Sequence, residues 1–381
     1  MRIVLAPDSY KGSLSASQVA FYMEEAIREV APWIRVEKVP IADGGEGTVD
    51  AFLAGAGGEK RNLTVTGPLG EPVQAFFGIL PDGTGVIEMA AASGLPLVPP
   101  ERRNPLITTT YGTGELIKGA LDAGCRRLVI GVGGSATNDG GLGMAQALGG
   151  IFLDGSGRPL AFGGGELSKL ERIDLQGLDP RLRGMEILVA CDVDNPLWGP
   201  NGAAAVFAPQ KGADPEMVCR LDEGLKHLAD VMRRELGRDV GDLPGAGAAG
   251  GLGAALLAFL GASLQPGIEV MAAVTGLEEK IAGADLVITG EGNTDYQTAR
   301  GKAPVGVGRI ARKYGVPVIA LSGGLGLDVE RVYEAGLDAV FSIMPGPLTL
   351  EEAMERAPEL LKKATANLIR LLLKWQEREA R

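Results

Sequence analysis

The chain has 381 residues, enough for two domains or at most three, and it is 45% hydrophobic and 22% charged, which excludes fibrous, collagenous and disordered classes. A formal net charge of −11 argues against a broad nucleic-acid-binding face, so an anionic ligand would need local positive groups. Three cysteines without C-x-x-C spacing fit a reducing, cytoplasmic setting, and a single histidine, His227, disfavours a His-rich metal site or a Ser-His-Asp triad.

Apolar, β-branched runs followed by helical periodicity predict βα units and a largely parallel sheet. Ile3-Val4-Leu5 opens the first strand, and Ser15-Ala16-Ser17-Gln18 forms a capping box for a helix whose Val19, Met23, Ile27 and Val30 recur at helical spacing until Pro32. A second strand follows over 34–39. Residues 61–90 alternate and carry Gly67-Pro68 and Pro81-Asp82-Gly83, which predicts antiparallel hairpins. Strands resume at 128–130, 187–189, 286–288, 316–321 and 339–343, and the last 32 residues carry a helical stripe of Leu361, Ala364, Leu368, Leu371 and Trp375. The uncharged stretch from Leu243 to Ile268 is studded with glycine, and its strongly apolar part, 252–264, is too short to cross a bilayer; it predicts a buried helix and no membrane partner. His227 falls mid-helix as a surface or packing residue, and Asp82 and Asp154 read as turn formers.

In an open parallel sheet, ligands bind beyond the carboxyl ends of the strands. Those ends are rich in acids and glycines here: Asp8, Ser9 and Lys11 after the first strand; Asp43, Gly44, Gly45 and Glu46 after the second; and 131–141 after the third, including Gly133, Gly134, Ser135, Asn138 and Asp139. Asp192 and Asp194 follow the strand at 187–189, and Glu291 and Asp295 follow 286–288. Backbone N–H groups of the 131–141 turn suit a phosphate. Lys11 and Lys302 each stand at a helix start, Lys302 just before Pro304, and supply positive charge in an acidic chain. Asp192 and Asp194, two residues apart, have the spacing to share a magnesium ion. Asp295, with Asp8 and Asp43 as alternates, is the candidate to orient or deprotonate an attacking hydroxyl. Acids, lysines and glycine-lined amides are the parts of phosphoryl transfer. Gly301-Lys302-Ala303 lacks the Walker A spacing, so the nucleotide site is not a P-loop. Gly131-x-Gly133-x-x-Ala136, with Asp154 downstream, and Gly245-x-Gly247-x-x-Gly250 match a dinucleotide fingerprint and leave an NAD-dependent hydroxy-acid oxidoreductase as the alternative.

Six motifs in order resemble the type-1 glycerate kinase family: 6–14, 43–48, 134–141, 191–197, 247–253 and 289–304. The resemblance, running from residue 1 to about 345, implies ATP-dependent phosphorylation of D-glycerate with magnesium, in bacterial members usually at the 2-hydroxyl, with the 3-hydroxyl as the alternative. It implies two α/β domains with the site in the cleft: a Rossmann-like parallel-sheet domain built from both chain ends, 1–66 plus 284–381, and an inserted mixed-sheet domain, 67–283. Catalytic roles then fall to Asp295, Lys11, Asp8 and Asp43, and substrate or phosphate binding to Ser9, Gly44, Gly45, Gly133, Gly134, Ser135, Asn138, Asp139, Glu291 and Lys302, with Asp192 and Asp194 on the metal. A homodimer is the candidate assembly. Asn293-Thr294 stands before Asp295 where the family commonly has Arg-Ile, with Arg300 as the nearby substitute.

Overall fold

Ser15 starts the helix Ala16–Val30 through the reciprocal capping box: its side chain accepts the Gln18 amide, and the Gln18 side chain accepts the Ser15 amide. The structure, a computed structural model, describes residues 1–42 and 44–379. Packing divides the chain into two compact units, one made of 1–42, 50–57 and 271–381, the other of 43–49 and 58–270.

The first unit holds a five-stranded parallel sheet in the order Ala339–Ser342, Val318–Ser322, Leu286–Thr289, Arg2–Leu5, Arg35–Lys38. Ile3 pairs with Leu286, so the two chain ends meet at the centre of this sheet. Strands covered on both faces carry unbroken apolar runs, which is why Ile3, Leu5, Leu286 and Ile288 are all buried against Val19, Met23, Leu361 and Ile369. The C-terminal segment forms two helices, Leu350–Glu355 and Ala357–Glu379.

The second unit holds a six-stranded mixed sheet: Ser263–Gln265, Glu186–Ala190, Arg127–Gly131 and Thr84–Glu88 are parallel neighbours, and Pro72–Ile79 and Glu59–Thr66 continue antiparallel. The predicted hairpins are present, and Thr84–Glu88 serves as the switch, antiparallel on one side and parallel on the other. The division of the chain falls slightly away from 66/67 and 283/284. Glu59–Thr66 lies in the second unit because it pairs with Pro72–Ile79 along its whole length, and 271–283 lies in the first, where Leu277 and Ile281 are buried and Lys280 donates to the Gly55 carbonyl.

The buried helix expected over 252–264 is Ala248–Leu260, and 263–265 is an edge strand instead, because Gly261 in the left-handed region (φ 66°) ends the helix. Among the described residues no helix is long and apolar enough to cross a membrane. Asp82 and Asp154 cap turns through the amides of Thr84, Ser156 and Arg158, and His227 packs with its Nε2 2.6 Å from the Leu170 carbonyl oxygen.

Candidate active site

In the first unit three strand-end loops are joined by backbone hydrogen bonds. The Asp8 amide donates to the Gly290 carbonyl at 2.8 Å, and the Gly324 amide donates to the Gly292 carbonyl at 2.9 Å. A Cβ on Gly290 would lie 1.9 Å from the Leu321 carbonyl oxygen, so only glycine fits this crossing. The crossing gathers Asp8, Ser9, Lys11, Glu291 and Asp295 around one loop cluster. Asp8 is half-buried and its Oδ1 accepts the Ser9 amide at 2.6 Å. Tyr10 donates its hydroxyl to the Leu321 carbonyl at 2.7 Å, and burial together with the Glu291 carboxylate pushes this phenol above its ordinary range. Lys11 and Lys302 are exposed, the latter at the N-terminus of helix Ala303–Lys313 with Pro304 in its first turn.

Glu291 is the most constrained acid of the cluster, 7% exposed. Its Oε1 accepts the hydroxyls of Thr298 at 2.6 Å and Thr294 at 3.0 Å, and the Thr294 hydroxyl lies 2.7 Å from Ser322 Oγ. Burial raises its pKa, opposed by the Thr298 hydroxyl, the charge of Lys302 and the Thr294 hydroxyl. Asp295 is engaged differently: Oδ1 accepts the Gln297 amide at 2.8 Å and Oδ2 accepts the Asn293 side-chain amide at 3.2 Å, so its carboxylate shapes its own turn. Asp43 and the side chain of Arg300 lie outside what is described.

In the second unit two glycine loops distant in sequence touch backbone to backbone. The Gly133 amide donates to the Gly44 carbonyl at 2.9 Å, and a Cβ on Gly133 would lie 2.6 Å from Gly45 Cα. Only the first part of the 131–141 turn reaches solvent: Gly134 is exposed and Gly133 half-buried, whereas Ser135, Asn138 and Asp139 are buried. The Asp139 carboxylate accepts the amides of Thr110, Gly141 and Gly143 and the hydroxyl of Thr110. Burial raises its pKa and these donors pull against the rise. It therefore ties the turn to its surroundings instead of offering oxygens to a ligand.

Two buried charges carry no sequence signal. Lys211, 2% exposed, sits in Pro209-Gln210-Lys211-Gly212, which reads as a solvated turn; burial pushes its pKa down to about 7 while Asp139 opposes the shift. Glu88 ends a strand and accepts the amides of Gly47 and Val49 at 3.1 and 3.4 Å, at the start of helix Thr48–Ala56. Thr294 and Thr298 likewise read as ordinary loop residues until the fold folds them over Glu291.

Asp192 and Asp194 are exposed, and Asp192 Oδ1 accepts the Gly267 amide at 2.7 Å. Among the described residues no three His, Cys, Asp or Glu side chains gather into a metal-binding group. Two exposed carboxylates suit a magnesium ion shared with phosphate oxygens and water, not a cation held by protein alone. The fingerprint match at 131–136 has no helix opening on it; the next helix, Leu142–Ala147, begins only after Gly141. The oxidoreductase alternative is without support.

The family model described as the glycerate kinase family matches residues 3–373. The chain is 54% identical over 369 residues to the glycerate kinase of Bacillus subtilis (strain 168) and, over the same length, 54% identical to the glycerate 2-kinase of Escherichia coli (strain K12), each alignment covering 97% of both chains. A solved structure provisionally assigned as glycerate kinase 2 of Salmonella typhimurium LT2 superposes with a TM-score of 0.90 at 52% identity, covering 99% of each chain.

Proposed function

This chain belongs to the glycerate kinase family and is an enzyme, a kinase, and we propose that it transfers the γ-phosphoryl group of ATP directly to the 2-hydroxyl of D-glycerate, giving 2-phosphoglycerate. The observation that carries the mechanism is the oriented, largely buried Glu291 carboxylate with Lys302 close enough to act on it electrostatically. A carboxylate whose pKa burial raises above its ordinary value and whose one oxygen is held by two hydroxyls is suited to accept the proton of an attacking alcohol. In this reading Asp295 shapes the turn that precedes Lys302, and Asp8 and Asp43 are alternates for the proton.

Phosphoryl transfer needs positive charge more than covalent chemistry. Lys11 and Lys302 supply it in the first unit, with Ser9 as a hydrogen-bonding neighbour. In the second, the amide of exposed Gly134 suits a phosphate oxygen, in a turn seated on Gly44 and Gly45 through the Gly133 amide; Ser135 and Asp139 hold that turn from within. Magnesium, when bound, neutralises charge on the transferring group, and Asp192 and Asp194 would hold it. Free cysteines at 125, 191 and 219 fit the proposed cytoplasmic location.

The test is an ATP-dependent assay with D-glycerate, followed by phosphorus NMR of the product. A 2-phosphate resonance is expected; a 3-phosphate product overturns the regiochemistry, and no product overturns the substrate.

A further inference from the structure

Lys211 ends the short turn Pro209–Lys211, and the chain then reverses at Gly212, whose φ of +94° and closeness to Arg103 leave no room for a side chain: a Cβ there would lie 2.4 Å from the Arg103 carbonyl oxygen. The backbone therefore fixes where Lys211 departs, and its long side chain runs inward. Its Nζ donates to Ser135 Oγ at 2.8 Å and to the Thr137 carbonyl at 2.7 Å. Both acceptors lie on the same turn as Gly133 and Gly134. Beside them, Thr137 Oγ1 and both side-chain amide atoms of Asn138 are buried with no hydrogen-bonding partner among the described residues. The Lys211 amine is thus what satisfies the polar atoms at the inner side of Ser135 and Thr137, while Asp139 is tied independently by the amides of Thr110, Gly141 and Gly143. Backbone bonds tie the segment to Gly44, Ser93 and Leu95, and Lys211 adds a side-chain donor that holds it at two points from within.

We infer that Lys211 is a positioning residue, which clamps Ser135 and Thr137 from inside and so sets the course of the turn and the direction of the Gly134 amide towards a phosphate of ATP. This rests on the proposed phosphate-binding role of that turn. Lys211 itself stays out of contact with substrate. Protonated or neutral, a lysine amine keeps at least two N–H donors, so both clamp bonds survive in either state. An apolar residue of the same length would fill the space and leave the Ser135 hydroxyl and the Thr137 carbonyl without this donor, loosening the geometry without emptying the core.

The experiment compares the full-length wild type with Lys211→Met, Ser135→Ala, the double variant, and Ile173→Val as a core control in the same unit, measuring steady-state kinetics, melting temperature and the ¹⁵N chemical shifts of Gly133 and Gly134 during titration with ATP. Lys211→Met is expected to raise KM for ATP about 10-fold or more and to leave KM for D-glycerate within about threefold, with the double variant no worse than the single. Ile173→Val should lower the melting temperature without moving either KM. An unchanged KM for ATP in Lys211→Met, or a double-variant loss equal to the product of the singles, overturns the inference. Should Lys211→Met fail to fold, Ser135→Ala decides: it removes one clamp bond, and an unchanged KM for ATP overturns the inference. Wild-type Gly133 and Gly134 shifts that do not respond to ATP remove the phosphate-binding role of the turn and the inference with it; shifts that respond equally in wild type and Lys211→Met overturn the lysine's role alone.

Discussion

The Thr298 hydroxyl donates to Glu291 Oε1 at 2.6 Å across seven residues of loop, and Thr294 adds a second donor to the same oxygen. The carboxylate is thereby fixed before any substrate arrives, which removes an ordering cost from the reaction step. Glu291→Gln keeps the shape and the hydrogen-bond acceptor but loses the proton acceptor. It should lower kcat about 100-fold or more while ATP still binds; retention of most activity would return the task to Asp8, Asp43 or Asp295.

The same hydroxyl opposes the effect of burial on Glu291. Removing it with Thr298→Val should therefore raise the Glu291 pKa and move the acid limb of the kcat profile to higher pH, while Thr298→Ser should restore the wild-type limb. A limb that stays in place in Thr298→Val would show that Glu291 does not govern it.

Lys11 and Lys302 are exposed cations beside the loop cluster in a chain of net charge −11. Losing a charge-assisted contact to a transferring phosphoryl group costs about 2–4 kcal/mol, or roughly 30- to 1000-fold in rate. Lys11→Ala and Lys302→Ala should each lose activity in that range with unchanged melting temperature, and wild-type kinetics in both would exclude them from the site.

Buried Lys211 makes stability depend on pH. Its pKa falls from the ordinary 10.5 to about 7 on folding, with the Asp139 carboxylate as the opposing charge. Between those values the unfolded chain binds the extra proton, so stability rises with pH from about 7 to about 10.5, with a slope of at most ~1.4 kcal/mol per pH unit. Urea unfolding of wild type between pH 6.5 and 9.5 should show the rise and Lys211→Met should flatten it; parallel curves would contradict the burial of a titrating amine.

Gly44 combines φ +88° with a Cβ position 2.5 Å from the Ala190 carbonyl oxygen. Gly44→Ala meets both a strained backbone and a rigid obstacle, so a destabilisation of about 2–4 kcal/mol is expected. Calorimetry would measure it, and a melting temperature within a degree of wild type would mean that Gly44 does not pack on Ala190 as described.

Much was written in the sequence by itself. The capping box at Ser15 and Gln18, the apolar runs of Leu286–Thr289 and Arg127–Gly131, the alternation through 61–90 and the turn chemistry of Asp82 and Asp154 are local signals, because period, cap and turn depend on residues within a few positions of one another. The ordered motifs 6–14 to 289–304 likewise carry the family. Other features were decided only by tertiary structure. Glu59–Thr66 joined the second unit through its partner strand, not its own composition. Asp139, an acid in a glycine-rich turn, became a buried tie for Thr110, Gly141 and Gly143. Asp295 accepts the Gln297 amide within its own turn while Glu291 acquired two hydroxyl donors, and Lys211, indistinguishable in sequence from a solvated lysine, was drawn beneath Ser135 and Thr137. The physical reason is common to all four: burial and hydrogen-bond partnership are properties of groups brought together from distant positions or across a loop's fold, and a side chain's role changes with its partners while its identity does not.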